Sequence, residues 1–229
     1  MKDGLLERIR EEGHWRVVLR PLLPLKERLS FQQCAAEVER ARVSIRGWDY
    51  PHMSRRQDEQ GGEDRGADYL ENWCDWHTQV EFWRMYRSGQ FLSYNALDDD
   101  LEDNPGRHGG DRYLNVIGAI YTITEFAEFA HRLAIGGLYS EGFSLVVALR
   151  NASGRHLQAG RGRMPFLDAQ RTQADTISIE RRLESSMIEE GAIPISLSIL
   201  LELFDNFGWN PGANQIRADQ EAFYRREWR

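Results

Sequence analysis

The stretch with the highest density of reactive side chains is residues 46–52, Arg-Gly-Trp-Asp-Tyr-Pro-His. In extended backbone, alternate side chains point to opposite sides, so Arg46, Trp48 and Tyr50 would share one side and Asp49 would face the other. An aspartate near an arginine and a histidine can orient a ligand or a proton-transfer group. The stretch is therefore a candidate binding or catalytic site.

Two functional interpretations of this stretch stay open beside a structural one. In an enzyme, Asp49, His52 and His77 would converge as catalytic groups in a pocket that water can enter. In a binding module, the contacts to a ligand or partner would come from Arg46, Trp48, Asp49, Tyr50 and His52. In the structural interpretation, the aromatic side chains belong to the core and Pro51 sets the direction of the chain.

A second candidate site is the basic segment 150–163, in which arginine and glycine recur and no acidic residue occurs. Guanidinium groups and glycine N–H groups can approach an anion together. The segment thus predicts contacts with the phosphates of a nucleotide or nucleic acid, or with an acidic protein. The residues available for these contacts are Arg150, Arg155, His156, Arg161 and Arg163. A flexible basic loop without a ligand is the alternative.

The sequence lacks the common motifs of a cofactor or metal site. It contains no GxxxxGK[ST], GxGxxG or GxSxG pattern, and its histidines show no HxH or HExxH spacing. Neither Cys34 nor Cys74 lies in a CxxC pair. Residues 98–103 are rich in carboxylates, which bind Mg²⁺ or Ca²⁺, but they lack the DxDxDG pattern, and this favours a solvated acidic loop. We predict no cofactor and no metal ion.

The composition excludes several classes of protein. Hydrophobic residues make up 41% of the 229 residues and there are seven tryptophans, so the chain can build a core and is not wholly disordered. A formal charge of −7 argues against nucleic-acid binding across the whole surface. The sequence shows no apolar leader, no apolar run of membrane-spanning length and no close cysteine pair. We therefore expect a cytoplasmic protein that does not enter a membrane.

Hydrophobic periodicity predicts an α+β fold. A capping box of Ser30 and Gln33 precedes a helix over 31–42, and a second box of Thr122 and Glu125 begins another helix. Further helices are predicted over 3–12, 194–208 and 214–228. Strands are predicted over 14–20, 43–48, 80–86, 91–94, 113–121, 143–149 and 175–182. We expect a single compact domain over residues 1–229, with a mixed, mostly antiparallel sheet flanked by about five helices. Mobile loops are expected near 54–68, 97–112 and 150–174.

Five stretches together resemble a known type of protein region. They are Trp-Arg-Val-Val-Leu-Arg-Pro at 15–21, Arg-Gly-Trp-Asp-Tyr-Pro-His at 46–52, Phe-Trp-Arg-Met-Tyr-Arg-Ser-Gly-Gln-Phe at 82–91, Ile-Thr-Glu-Phe-Ala-Glu-Phe-Ala at 123–130 and Phe-Gly-Trp at 207–209. The set resembles an uncharacterised region of bacterial proteins that carry a Schlafen-like (AlbA-type) ATP-binding domain, some of them in defence or regulatory systems. The resemblance spans most of residues 14–209, and the Schlafen-like domain itself is not visible in this sequence. It implies a sensor or adaptor module and carries no catalytic residues with it.

These observations favour a non-enzymatic binding, sensor or adaptor module of a bacterial antiviral-defence or stress-response system. Such a module would act with another protein from the same operon. One alternative is a hydrolase or nuclease that acts on a phosphate-bearing substrate through Asp49, His52 and the segment 150–163. Another is a nucleic-acid-binding accessory protein that uses this segment. The oligomeric state stays open.

Overall fold

The chain folds as six α-helices and nine β-strands in the computed structural model, which describes residues 1–101, 112–160 and 163–227. This confirms the predicted α+β class. The helices are α1 (Leu5–Glu11), α2 (Phe31–Ala41), α3 (Val116–Ile135), α4 (Ser185–Ile188), α5 (Ala192–Asp205) and α6 (Ala213–Tyr224). The strands are β1 (His14–Pro21), β2 (Gly61–Arg65), β3 (Tyr69–Asp75), β4 (Val80–Tyr86), β5 (Phe91–Ala96), β6 (Tyr113–Asn115), β7 (Phe143–Arg150), β8 (His156–Gln158) and β9 (Thr176–Leu183).

Seven of the strands form one antiparallel sheet in the order β2-β3-β4-β5-β1-β7-β9. Consecutive hairpins build the half from β2 to β5, and longer connections bring β1 and β7 beside it. The strands β6 and β8 pair in parallel as a separate two-stranded sheet. The first strand of the chain therefore lies near the middle of the main sheet, where it is paired along both edges.

The core is divided unequally between two clusters of buried apolar side chains. The larger cluster joins β1, β7 and β9 to α2, α3 and α5, and the smaller one joins α1 to β4 and β5. Helix α3 packs against α2, α5 and α6 and is buried along most of its length. It is thus a fixed wall against which a site can be built.

The helix predicted over 31–42 and the strands predicted over 80–86 and 91–94 are confirmed as α2, β4 and β5. Ser30 Oγ accepts a hydrogen bond from Gln33 N at 3.3 Å, and Gln33 Oε1 accepts one from Ser30 N at 2.8 Å, so the capping box is complete. The turn between β4 and β5 contains Gly89 with a φ of 84°, a left-handed conformation that glycine adopts without steric cost.

Residues 43–48 do not form the predicted strand. Val43 and Tyr50 exchange two backbone hydrogen bonds, at 2.8 and 2.9 Å, and the chain between them turns back on itself. Gly47, with a φ of 87°, makes this turn possible because it has no Cβ. The predicted strand is therefore absent, and residues 44–49 form a loop.

The predicted strand over 113–121 is wrong after its first three residues. Strand β6 ends at Asn115, whose Oδ1 accepts a hydrogen bond from Gly118 N at 2.8 Å and so caps α3. Thr122 lies inside this helix and does not begin one. Because α3 is buried on most sides, its sequence lacks the one-sided periodicity that distinguishes a surface helix from a buried strand.

The three predicted loops contain regular structure. Residues 54–68 include β2, residues 97–112 include a 3₁₀ turn, and residues 150–174 include β8. The parts of these loops at 102–111 and 161–162 lie outside the described residues. Within the described ranges, no helix is both long and apolar enough to cross a membrane.

Candidate functional site

A cavity of about 370 Å³ lies between the first half of α3 and the strands β1, β4 and β5. Residues 46–50 and the turn after β5 complete its walls, so the stretch singled out by its side chains does border a cavity. Cavities of roughly 300–1,000 Å³ are typical of small-molecule sites. Five carboxylate side chains line the cavity, and we call it the acidic pocket: Asp49, Glu81, Asp98, Asp99 and Glu125.

The floor of the acidic pocket is set by the register of three neighbouring strands. Trp15 on β1 lies opposite Asn95 on β5, and Asn95 lies opposite Glu81 on β4. Directly opposed residues of antiparallel strands point to the same face of the sheet. The register therefore places an indole, an amide and a carboxyl group side by side beneath α3.

One wall of the pocket is a single face of α3. Gly118, Thr122 and Glu125 all line the pocket. They are spaced by four and three residues, which places them above one another on a helix. Gly118 leaves room near the start of the helix, and Glu125 brings a carboxyl group to a depth where only 2% of the residue is exposed.

Arg46 connects the loop over the pocket to α3. Its Nη2 donates to Thr122 Oγ1 at 2.9 Å and lies 2.8 Å from Glu125 Oε2. The Arg46 side chain remains about one-third exposed, whereas its carboxylate partner is buried. Arg46 thus holds the loop to the helix through one hydrogen bond and one partly exposed ion pair.

Glu81 is held at the floor by two uncharged donors. Trp48 Nε1 donates to Glu81 Oε1 at 2.7 Å, and Asn95 Nδ2 donates to Glu81 Oε2. Burial raises the pKa of Glu81 to about 7, and the nearby carboxylates of Asp98 and Glu125 add to the rise. A group with this pKa is partly protonated at neutral pH.

Glu125 shares this property and also has an unused acceptor. Burial raises its pKa to about 7 even though the Arg46 guanidinium opposes the rise. Its Oε1 atom is buried and has no hydrogen-bond partner among the described residues, and the same holds for Asn95 Oδ1. Both atoms are acceptors on side chains that line the pocket.

The turn after β5 adds two more carboxyl groups. Loss of surrounding water raises the pKa of Asp98 to about 6 and also raises the pKa of Asp99. Asp98 is exposed to solvent, whereas Glu81 and Glu125 are buried. These aspartates belong to the wall of a pocket, which corrects the prediction of a purely solvated acidic loop.

A buried ion pair of Asp100 and Arg155 fixes the turn that carries these aspartates. Arg155 Nη1 and Nη2 contact the two carboxylate oxygens at 2.8 and 2.5 Å, and Nη1 also donates to Tyr113 O at 2.6 Å. Asp100 Oδ2 accepts from Gly13 N at 2.7 Å as well. Arg155 is 0% exposed. The structure thus places Arg155 in the interior, where it cannot make the predicted contact with an external anion.

The three predicted catalytic residues do not all line the acidic pocket. Asp49 lines the pocket but lies 2.9 Å from Arg42 Nη1, with which it forms an ion pair. The His52 ring stacks on Trp48 with centroids 4.1 Å apart, and burial lowers the pKa of this imidazole. Neither His52 nor His77 lines the pocket. The acidic pocket therefore does not contain a catalytic group built from all three.

Four of the five predicted binding residues in the stretch 46–52 line the acidic pocket. Arg46, Trp48, Asp49 and Tyr50 all line the acidic pocket, and His52 supports it through the stacked Trp48 ring. Tyr50 is buried, and its hydroxyl forms a hydrogen bond with Ser93 Oγ at 2.8 Å.

The basic segment is not a single surface. Arg150 is exposed at the end of β7, whereas His156 on β8 is half-buried near the Tyr113 ring. Arg163 forms an ion pair with Asp219. Arg161 lies outside the described residues. Contact of this segment with phosphate stays a prediction, and the interior position of Arg155 leaves it with fewer guanidinium groups.

The sequence did not reveal the two glutamates of the acidic pocket. Glu81 lies within an apolar strand and Glu125 within an apolar helix, and the latter was interpreted as part of a capping box. A lone carboxylate in an otherwise buried element was the available signal, because such groups are rarely buried without a specific reason. The contribution of Asn95 depends on strand register and had no local signal.

The arrangement can hold a ligand or move a proton. Carboxyl groups with a pKa near 7 exchange protons at neutral pH and attract cations when ionised. Within the described residues, no cluster of three or more histidine, cysteine, aspartate or glutamate side chains is arranged to hold a metal ion.

No protein-family model, curated protein or solved structure matches this chain. The resemblance to a region of Schlafen-like proteins therefore stays a prediction, and the functional argument depends on the geometry of the acidic pocket.

Proposed function

We propose that this chain is a ligand-binding module that takes a small molecule into the acidic pocket. The observation that carries the proposal is the pair of buried, unpartnered acceptors, Asn95 Oδ1 and Glu125 Oε1, in a cavity of about 370 Å³. A buried acceptor without a partner costs about 1–3 kcal/mol. A ligand with N–H or O–H donors would recover this free energy on binding.

Ligand binding in the pocket would change the contacts of the loop that covers it. Arg46 joins the loop to α3 through Glu125, and a ligand that contacts Glu125 competes for the same carboxylate. Binding then changes how firmly residues 46–50 are held against the helix. This coupling is what a sensor requires, because the ligand must interact differently with two states of the protein.

The ligand-binding proposal is tested by blocking the pocket. An added Cβ at Gly118 would lie 3.5 Å from the nearest side chain, Asn115, so Gly118→Leu should fold and extend into the cavity. The matched control is Gly212→Leu, where an added Cβ meets no atom within 4 Å. Thermal unfolding is measured with a panel of aromatic amines and amidines, neutral sugars and nucleosides.

At about 100 times its Kd, a ligand adds roughly 2.7 kcal/mol of stability, which corresponds to a rise in Tm of about 5–10 °C. We expect at least one class to produce this rise in the wild type and in the Gly212→Leu control, and not in the Gly118→Leu variant. If no class raises the Tm, or if the rise survives Gly118→Leu, the proposal is wrong.

A second candidate is acid–base catalysis in the same pocket, favoured by the pKa of about 7 for both Glu81 and Glu125. Groups that titrate near the working pH are efficient proton donors and acceptors. The surrounding carboxylates disfavour a phosphate-bearing substrate, so neutral nitrophenyl esters and glycosides are the substrates to test. Loss of turnover in both Glu81→Gln and Glu125→Gln supports catalysis, whereas turnover that neither variant changes rules it out.

The wider role we propose is a sensor or adaptor in a bacterial defence or stress-response system, located in the cytoplasm. The resemblance to a region of Schlafen-like proteins supports this role, and the partner would be a protein encoded in the same operon. Co-expression with the neighbouring gene products followed by size-exclusion chromatography tests it. A chain that elutes as a monomer beside every neighbour would contradict the adaptor role and leave ligand binding in place.

A further inference from the structure

The unpartnered atoms in the acidic pocket specify what a ligand must present to them. Glu125 Oε1 and Asn95 Oδ1 are both acceptors, and in the described part of the chain no other buried side-chain atom that lines the pocket lacks a partner. The Asn95 amide is oriented by its own bond, since its Nδ2 donates to Glu81. The ligand must therefore bring donors to two points.

The charges around these acceptors favour a positive ligand. Asp98 and Asp99 after β5, Glu81 on β4 and Glu125 on α3 line the pocket. Among the described residues that line it, a single guanidinium opposes them, that of Arg46. The fifth carboxylate, that of Asp49, is already paired with Arg42, which follows α2. With four carboxyl groups against one arginine, the potential in the pocket is negative at neutral and alkaline pH.

Aromatic rings supply the remaining surface of the pocket. Trp15, Trp48, Tyr50 and Phe126 line it, and the Phe126 ring lies 6.2 Å from Trp15 and 4.6 Å from Tyr50 between centroids. Aromatic faces attract cations and bury flat apolar groups. A cavity of this volume with such walls fits an organic molecule rather than a bare ion.

We infer that the ligand of the acidic pocket is an organic cation, an amine or amidine joined to a flat apolar group, whose N–H donors contact Glu125 and Asn95. The inference rests on the proposed ligand-binding function and names its chemical class. Glu125 binds the cation directly, and Glu81 keeps Asn95 oriented so that the amide oxygen faces the ligand.

Binding of such a ligand is coupled to the loss of protons. The pKa of Glu81 and that of Glu125 are about 7 in the free protein, and a bound cation stabilises the ionised carboxylates and lowers both values. Protons thus compete with the ligand, and affinity rises with pH through 7. When one proton is displaced, affinity changes by up to about tenfold for each pH unit below the free pKa. A neutral ligand stabilises the ionised carboxylates less, so its affinity should rise less with pH.

The experiment compares two pairs of nearly isosteric probes by calorimetric titration of the full chain at pH 6 and pH 8. The pairs are benzamidine with benzamide and phenethylamine with phenylethanol. The variant is Glu125→Gln, and its net-charge control is Glu190→Gln, at an exposed position outside the pocket. We expect the cationic member of a pair to bind at least about tenfold more tightly at pH 8 than at pH 6, and to lose at least about tenfold in affinity in Glu125→Gln at pH 8. The control should bind as the wild type does.

Three outcomes would overturn the inference while leaving a ligand pocket in place. The neutral probes or a neutral sugar could bind as tightly as the cations, binding could be equal at both pH values and in Glu125→Gln, or Mg²⁺ or Ca²⁺ alone could bind in a Glu125-dependent manner. Absence of binding by every class in the panel, neutral sugars and nucleosides included, would instead contradict the proposed function itself. The two failures are therefore distinguishable.

Discussion

Among the regions of this molecule that bury charged side chains, two treat them in opposite ways. Around Arg155, the guanidinium contacts both oxygens of Asp100 and a backbone carbonyl, and only its Nε atom is left without a partner. In the acidic pocket, an acceptor of Glu125 is left unpartnered beside a cavity, and the pKa of this residue rises to about 7.

The difference separates a structural use of buried charge from a functional one. A paired and filled polar cluster holds the chain in one arrangement, because removal of either partner leaves a buried charge. A buried polar atom without a partner beside a cavity is retained at a cost to stability, and a ligand is the simplest reason for retaining it. Arg155 and Asp100 hold the turn from which Asp98 and Asp99 enter the pocket, so the structural region supports the functional one.

The largest effect is expected from Arg155→Met. This change leaves the buried Asp100 carboxylate without its cationic partner, and we expect a loss of about 3–5 kcal/mol in the free energy of unfolding. Urea denaturation at pH 7 measures it. The control is the exposed Arg150→Met, which should change stability by no more than about 0.5 kcal/mol. If Arg155→Met and Arg150→Met lowered stability equally, the buried pair of Arg155 and Asp100 would have no special structural role, and its contrast with the acidic pocket would disappear.

Glu125→Gln should increase the free energy of unfolding at high pH, whereas Arg155→Met decreases it. A carboxyl group whose pKa is higher in the folded than in the unfolded chain binds more protons when folded, so its contribution to stability falls as pH rises from about 4.5 to about 7. The Glu125→Gln variant has no carboxyl group at this position, so it does not lose this stability as the pH rises. We expect it to be more stable than the wild type by roughly 2 kcal/mol at pH 8, with a much smaller difference at pH 5. Urea denaturation of both proteins at the two pH values measures the difference, and a variant less stable than the wild type at pH 8 would assign Glu125 to the structural class.

The smallest effect is expected from Arg46→Gln. The Arg46 side chain is about one-third exposed, so its ion pair with Glu125 contributes no more than about 1 kcal/mol to stability. The same change removes the guanidinium that opposes the rise in the pKa of Glu125, and this pKa should increase further. Thermal unfolding checks the first effect, and a carboxyl titration followed by NMR checks the second. If Arg46→Gln lowered the stability of the fold as much as Arg155→Met does, the loop would be a structural part of the core.

The parts of the fold that the sequence predicted have strong local causes. Helix α2 has a complete capping box at Ser30 and Gln33, and the hairpin of β4 and β5 has Gly89 in its turn. Both signals act within a few residues. The segment 113–121 has no such signal, because an apolar run suits a buried strand and a buried helix equally. The cap at Asn115 was the local cue that distinguished them.

Some residues of the site were predicted from the sequence and others were missed, and the difference between them has a physical basis. Residues 46–50 could be identified because their side chains are too polar and too aromatic for an ordinary loop. Glu81 and Asn95 meet only because the register of β4 and β5 opposes them, and Glu125 reaches them only because α3 crosses the same face. Contacts between distant elements of this kind are not encoded in any local pattern of residues.

The most direct test of this account is a ¹³C NMR titration of the glutamate side-chain carboxyl groups, with the signals assigned from the Glu81→Gln and Glu125→Gln variants. We predict that both groups titrate near pH 7 in the free protein and that saturation with the cationic probe that binds, benzamidine or phenethylamine, moves both midpoints to lower pH. Midpoints near the ordinary value of 4.5 in the free protein would contradict it.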